Sequence, residues 1–342
     1  MRSVFMTSKE RVISAINHQE PDRIPFTLYI EDVFLKILEK ELGPRINWHC
    51  PDDDIIRLLW PIDYIRTEQG CRDMFGCSWR WHDQGGYIMA EPLLSEPDIK
   101  KIPVIDLVPQ SEIDRIVQTR DLNPDKFIFY QFTSSFGERL WSLRGLEQTY
   151  MDYILNPEFV SGALDMLLEM HMAALDKVLE LPVECVTFGD DFGGQKGLMI
   201  SRDIYLKFYK PRYAKLYEKV RSAGKVVGQH SCGDNTELMG DYVDIGLQIF
   251  HPLQPEAMDI VKIKKDFGKY LTFRGGISTQ RAIPFGNPEQ AREEIRNSVR
   301  ILSEGGGYLL ETAKPLRQET PIENAVAVMD EMRKAVEYNF GK

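Results

Sequence analysis

The chain has 342 residues, 43% of them hydrophobic, and its 42 Lys and Arg against 52 Asp and Glu give a formal net charge of −10. This length suits one large domain or two ordinary ones, and the apolar content is enough for a sizeable core. An acidic chain without a basic cluster argues against a nucleic acid or an anionic membrane as its partner.

The N-terminal stretch and the cysteines indicate the compartment. MRSVFMTSKERVISAINHQE lacks the apolar centre of a signal peptide, and no apolar run approaches the roughly 18 residues that a membrane span requires. The five cysteines are odd in number and irregularly spaced, which does not favour a disulfide framework. The sequence therefore predicts a soluble cytoplasmic protein with reduced thiols.

The predicted elements of the N-terminal part begin with an amphipathic helix at 8–19, which the two prolines of EPDRIP end. A strand follows at 24–30, and a short strand is predicted at 62–66. Residues 77–94, CSWRWHDQGGYIMAEPLL, are typical of an inserted β-hairpin.

From there a regular alternation of strand and helix follows. Six strands, each followed by a helix, are predicted at 127–132, 184–188, 225–229, 247–250, 270–273 and 308–311. Short apolar strands alternating with helices indicate a parallel sheet. Eight strand–helix units predict a (β/α)₈ TIM barrel with the inserted hairpin, as a single domain over residues 1–342; a doubly wound open sheet is the alternative.

Polar residues stand at the carboxyl ends of the predicted strands. They are Asp190, Asp191, His230, Cys232, His251, Arg274 and Glu311. Because TIM barrels build their active sites at that end, we expect these residues to share one site. Tyr29 and Gln131, which end the first and third strands, are expected to line a substrate pocket.

The stretch GQHSCGD places His230 and Cys232 two residues apart at the end of the fifth predicted strand. Extended backbone puts both side chains on one face, and imidazole and thiolate are both good zinc ligands. The alternative is a buried cysteine beside a hydrogen-bonded histidine. A zinc site requires at least one further ligand.

The wider sequence resembles the uroporphyrinogen decarboxylase superfamily. The resemblance lies in TSKERVISAINHQEPDRIPF, GDDFGGQKGLMIS, GQHSCGD, FHPLQPEAMD, TFRGGISTQ and GGGYLLETAKPLRQETP. It implies a (β/α)₈ barrel and one of two activities. One branch decarboxylates porphyrinogens without a cofactor; the other comprises cobalamin-dependent methyltransferases, which bind zinc through a His-x-Cys pair and a later Cys.

Two departures from the superfamily pattern matter. The Arg-rich loop of the decarboxylases is replaced by YIEDVFLKILEKEL, which carries Glu31 and Asp32, although Asp63 stands about where the decarboxylases keep a catalytic Asp. The methyltransferases' third zinc ligand is missing as a Cys, because its place falls near Lys314. Glu311 is the favoured substitute.

Alternative roles for these acids stay open. Glu311 could instead form an ion pair with Arg274 or Lys314. Asp190 and Asp191 could bind substrate, supply a metal ligand or hydrogen-bond the glycine-rich loop that follows them.

The resemblance therefore implies a zinc-dependent methyltransferase that moves a methyl group between a small-molecule donor or acceptor and a corrinoid (cobalamin) on a partner protein. In this interpretation His230, Cys232 and Glu311 bind zinc, and Asp63, His251 and Arg274 are catalytic. The alternatives are a metal-free decarboxylase-like lyase using Asp63 and a non-catalytic corrinoid- or tetrapyrrole-binding protein. A homodimer is compatible with each of these.

Overall fold

The computed structural model describes residues 6–43, 52–61, 65–81 and 87–334. Its strands are β1 (Ile55–Leu59), β2 (Ile65–Arg66), β3 (Gly70–Arg72), β4 (Ser78–Trp81), β5 (Tyr87–Glu91), β6 (Phe127–Phe132), β7 (Cys185–Gly189), β8 (Gly193–Gly194), β9 (Gly197–Leu198), β10 (Val226–His230), β11 (Ile249–Leu253), β12 (Thr272–Ile277) and β13 (Tyr308–Thr312). Its α-helices are α1 (Ser8–Ile16), α2 (Asp32–Leu42), α3 (Gln110–Leu122), α4 (Gly137–Arg144), α5 (Leu146–Leu155), α6 (Pro157–Val178), α7 (Arg202–Ile204), α8 (Lys210–Ser222), α9 (Met239–Asp244), α10 (Ile260–Phe267), α11 (Ala282–Phe285), α12 (Pro288–Leu302) and α13 (Ile322–Lys334).

A seven-stranded parallel sheet organises this mixed α/β fold. Its strands lie in the order β1-β6-β7-β10-β11-β12-β13, which is the order of the chain. Parallel neighbours of this kind are joined by crossover helices, as the alternating sequence predicts. All carboxyl ends of these strands therefore lie at one edge.

The second predicted strand is wrong in position. The sheet begins with IIRLL, Ile55–Leu59, which pairs with Phe127–Gln131. Of the predicted strand at 62–66, residues 62–64 lie outside the described ranges, and Ile65–Arg66 forms β2 of a separate antiparallel sheet. Arg57 interrupts the apolar run of β1, and this hides the strand in the sequence.

The segment 24–30, predicted as the first strand, forms only isolated parallel bridges. Phe26 pairs with Leu310 of β13. The Thr27 N–H donates to the Leu310 carbonyl over 3.0 Å, and the Asp54 N–H donates to the Phe26 carbonyl over 2.9 Å. The segment thus has hydrogen bonds both to β13 and to the residue that precedes β1.

The insertion forms an antiparallel sheet in the order β2-β3-β4-β5. In the predicted hairpin at 77–94, Trp79 of β4 pairs with Met89 of β5. Gly85 and Gly86, which lie between β4 and β5 in the sequence, are outside the described residues. In this sheet β4 pairs with both β3 and β5, so the predicted hairpin is part of a larger unit.

Helix α1 covers an apolar cluster of sheet residues. The helix contributes Val12, Ala15 and Ile16, and the strands contribute Ile55, Phe127, Phe129, Cys185, Ile249 and Leu309. These strand residues lie toward the amino ends of their strands or in mid-strand, so the carboxyl ends remain for polar side chains. Within the described part of the chain, no helix has both the length and the apolar character of a membrane span.

Candidate functional site

A group of three potential metal ligands lies at the carboxyl edge of the sheet. The ligand atoms of Asp191, His230 and Cys232 all lie within 4.8 Å of one another. His230 Nε2 is 3.3 Å from Cys232 Sγ and 3.7 Å from Asp191 Oδ1. The Cys232 N–H donates to the same Asp191 oxygen over 2.8 Å. We call these three residues the metal group.

Two glycine-containing loops bring the metal group together. His230 ends β10 and pairs in register with Gly189, which ends β7, so the loops that follow are neighbours. Gly233 has φ +78°, and a Cβ there would lie 2.2 Å from the Gly193 carbonyl oxygen. Only glycine allows this approach, which holds Cys232 against the loop that carries Asp191.

His251 fixes the orientation of His230. The Nδ1 atoms of the two rings are 2.8 Å apart, so one ring donates and the other accepts. Burial lowers the pKa of His230 to about 3, although Asp191 opposes the shift. Burial and the neighbouring Arg274 lower the pKa of His251 as well. Both rings are therefore neutral at pH 7, the state in which imidazole binds a metal.

Glu311 lies in an ion-pair cluster and not in the metal group. Its carboxylate accepts hydrogen bonds from Arg274 and from Arg57, the latter over 2.9 Å. His251 Nε2 is 3.6 Å from its Oε2. The expectation that Glu311 is the third metal ligand is not supported by this geometry, since two guanidiniums already engage its oxygens. The predicted alternative, a pair with Arg274, describes its position.

Lys314 lies where the superfamily's later Cys was expected, and it contacts the metal group. Its Nζ donates to Cys232 Sγ over 2.7 Å. Burial, reinforced by Asp191, raises the pKa of the Cys232 thiol to about 12, while the Lys314 charge opposes this shift. The ammonium thus lies beside the thiol, and not beside Glu311 as the sequence also allowed.

The adjacent residues Asp190 and Asp191 have different surroundings. Asp190 is fully buried, and its oxygens accept from the Phe136 and Glu138 N–H groups over 2.8 and 2.9 Å and from the Tyr213 hydroxyl. The predicted substrate-binding role of Asp190 is therefore not supported, because donors of the protein occupy both oxygens. Asp191 is partly exposed and faces His230 and Cys232, the other two members of the metal group.

The remaining predicted residues are spread around the site. Gln131 is buried at the end of the strand that neighbours β1, and the Tyr29 ring lies 4.8 Å from the Arg57 guanidinium. Arg274 is buried and donates hydrogen bonds to Glu311. Asp63 lies outside the described residues.

Sequence reasoning missed two residues near the site. Arg57 lies in β1 (Ile55–Leu59), outside the predicted strand at 62–66, so the sequence does not place it at the site. Glu138, at the start of α4, lies close to Asp191, and its pKa is raised by burial and by the neighbouring Asp191 and Asp190 charges. Its position just after β6 was the available signal, since loops at the carboxyl ends of strands form the site.

Comparison with solved structures identifies a similar fold. A methyltransferase from Methanosarcina mazei is 17% identical with a TM-score of 0.73, and the match covers 96% of this chain and 99% of that chain. An endo-β1,6-glucanase is 10% identical with a TM-score of 0.35 over 76% of this chain and 57% of that chain, too low a score to indicate a shared fold.

Comparison with curated proteins found no match. The model of the uroporphyrinogen decarboxylase (URO-D) family matches residues 71–335. This range includes the metal group and both loops that carry it. Because the match spans well over half of the 342 residues, the chain belongs to the uroporphyrinogen decarboxylase family.

Proposed function

We propose that the protein is a zinc-dependent methyltransferase that moves a methyl group between a small molecule and a corrinoid carried by a partner protein. The observation that carries the proposal is the metal group, in which carboxylate, imidazole and thiol converge at the carboxyl edge of the sheet. The similar Methanosarcina structure is that of a methyltransferase, which supports the same class.

The donors fit zinc. Zinc accepts nitrogen, sulfur and carboxylate oxygen, and catalytic sites use three protein ligands and leave a fourth position open. His230 is neutral, as a ligand must be. The Cys232 thiol has a raised pKa, so metal binding must displace its proton. Bound there, zinc would supply positive charge to the heteroatom that loses or gains the methyl group.

The surrounding residues prepare this site. His251 holds the Nδ1 side of His230 and leaves Nε2 facing Cys232, the arrangement in which an outer partner orients a metal-binding ring. Lys314 donates to the Cys232 sulfur, so it stabilises the thiolate that zinc binding requires. Arg274 positions Glu311, which lies next to His251. These are positioning roles, and a catalytic role for Asp63 stays a prediction.

The proposed architecture is a single-domain closed barrel. Segment 24–30 is hydrogen-bonded to Leu310 on one side and to Asp54 on the other. These bonds support its place as the eighth element of the barrel wall. Closure gathers the strand ends around one opening, at which a partner protein can present its corrinoid.

Zinc content tests the function. We expect one zinc per chain after supplementation, and Cys232→Ser and His230→Ala should each lose most of it, since two protein ligands hold zinc weakly. Cys185→Ser is the matched control, because it replaces a buried thiol of β7 outside the metal group. A wild-type protein without stoichiometric zinc would contradict the proposal and favour the metal-free lyase or the binding protein.

A further inference from the structure

We propose that the substrate of this site is a small carboxylic acid whose carboxylate is bound by Arg57. The inference rests on the proposed function, because the bound acid is taken as the molecule that gives or accepts the methyl group. It depends on the charge, the hydrogen bonds and the accessibility of the cluster formed by Arg57, Arg274 and Glu311.

The cluster has one positive charge in excess. Two guanidiniums face one carboxylate, and Glu311 is almost fully buried. A buried cation without a matching anion is costly, and a ligand carboxylate would supply the missing charge. His251 Nε2 lies 3.6 Å from Glu311 Oε2, so the cluster lies beside the ring that contacts His230.

The hydrogen bonds show which arginine has capacity left. Arg274 places two nitrogens on Glu311. Arg57 uses only Nη1 there, and its buried Nε has no hydrogen-bond partner. The Arg57 guanidinium therefore retains donors in the planar fork that matches a carboxylate. The Tyr29 ring, 4.8 Å away, restricts its orientation.

Arg57 is also the accessible member of the cluster. Its side chain is 15% exposed, against 1% for that of Arg274. It lines a cavity of about 590 Å³ together with Tyr29 and Leu59, a volume that accommodates a small organic acid. Two acids, Asp32 and Asp53, line this cavity as well.

The two acids of the cavity do not neutralise Arg57 through a hydrogen bond. Asp53 accepts from Thr27 over 3.0 Å and lies 3.6 Å from Lys126, and burial raises its pKa to about 7. Asp32 stands in the first turn of α2. Among the described residues, the carboxylate that accepts a hydrogen bond from Arg57 is that of Glu311.

A continuous set of contacts joins Arg57 to the metal group. Glu311 is 2.9 Å from Arg57 and 3.6 Å from His251, which in turn lies 2.8 Å from His230. An acid held by Arg57 would thus have to extend past Glu311 and His251 to bring a methyl-bearing heteroatom to the metal group.

Calorimetric titration of the full chain, with and without added zinc, tests the inference. The probes are 4-methoxybenzoate and methoxyacetate, each paired with its uncharged amide. We expect the wild-type protein to bind at least one acid about tenfold or more tightly than its amide, as charge-assisted hydrogen bonds are the stronger ones. Arg57→Gln should reduce that acid to the affinity of the amide. Arg57→Lys, which keeps the charge, should retain part of the preference.

Arg115→Gln is the matched control, because Arg115 lines the same cavity but pairs with Glu112. It should keep the preference for acids. Equal affinity for acid and amide, no binding of either acid, or an unchanged preference in Arg57→Gln would each overturn the inference. This readout needs no corrinoid and no turnover. The preference for acids can therefore be absent from a protein that binds zinc, and present in one that does not.

Discussion

At the scale of single residues, His230 turns Nε2 toward Cys232 because His251 contacts its other ring nitrogen, Nδ1. If His230 donates from Nδ1, the remaining proton of His251 lies on Nε2, which faces Glu311 over 3.6 Å. A buried carboxylate held by two arginines thus stands behind the histidine pair. Such outer partners fix the tautomer and the direction of a metal-binding imidazole.

Asp191 and Glu311 provide the sharpest test of the ligand set. Asp191→Asn should weaken zinc binding by about tenfold or more, because a neutral amide replaces a charged oxygen donor of the metal group. Glu311→Gln should change zinc affinity less, since Glu311 acts only through His251. It should instead lower the free energy of unfolding by about 3–5 kcal/mol, because two buried arginines lose their counter-charge.

Competition with a chelator measures the zinc affinities, and urea unfolding measures the stabilities. The reverse order, with zinc affinity more sensitive to Glu311→Gln than to Asp191→Asn, would restore Glu311 as the third ligand. The sequence leaves this contrast open, because Asp191 follows one predicted strand and Glu311 ends another.

At the scale of elements, helix α4 joins the site to the antiparallel sheet. Its first turn carries Glu138, which lies near Asp191, and its next residue, Arg139, forms a buried ion pair with Asp73. Asp73 also accepts from the Trp79 indole over 3.0 Å and from the Cys77 N–H over 2.9 Å. The inserted sheet is therefore fixed to α4 by buried hydrogen bonds, which argues against a freely moving lid.

Asp73→Ala should lower the free energy of unfolding by about 3–5 kcal/mol, because Arg139 would remain buried without its partner. Asp266→Ala is the control: it breaks the exposed pair of Asp266 with Lys262 and should cost far less than Asp73→Ala. Chemical denaturation checks both. Similar small losses in the two variants would mean that the ion pair does not hold the sheet to α4.

The later strands could be predicted closely from the sequence. The predicted strands at 127–132 and 308–311 correspond to Phe127–Phe132 and Tyr308–Thr312. A strand buried on both faces of a parallel sheet reads as a short continuous apolar run, and that signal is strong. The segment 24–30 lacks a regular ladder, and Pro25 has no N–H to contribute to one.

The site could be predicted only in part. Topology placed His230 and His251 at the same edge, because parallel strands end together. Topology could not distinguish Asp190 from Asp191, which are neighbours in sequence. The Asp190 carboxylate accepts hydrogen bonds from backbone N–H groups and from Tyr213, whereas the Asp191 carboxylate accepts one from the Cys232 N–H. Arg57 lies in an otherwise apolar strand, and a charged residue there makes the segment harder to predict as a buried strand. Its ion pair with Glu311, which explains the charge, is visible only in the structure.

At the scale of the whole molecule, the question is whether the parallel sheet closes. Closure would occur at segment 24–30, between β13 and β1, which we call the seam. Asp54 is central to the seam, because its carboxylate accepts hydrogen bonds from Arg11 of α1 and from Arg23 while its N–H donates to Phe26. The carboxylate is fully buried. Helix α1, the segment 24–30 and the start of β1 therefore share one anchor.

A closed barrel predicts that the seam unfolds only with the rest of the molecule. The amides of Thr27 and Asp54, which donate across the two sides of segment 24–30, should be protected from hydrogen exchange about as strongly as the amides of β7 and β10. Amide exchange followed by mass spectrometry or NMR measures this. If these two amides exchange orders of magnitude faster than the central strands, the sheet is open at this seam. In an open sheet the segment would fray separately, and Tyr29 would not hold Arg57 in place, so this measurement also bears on whether the acid-binding cavity is preformed.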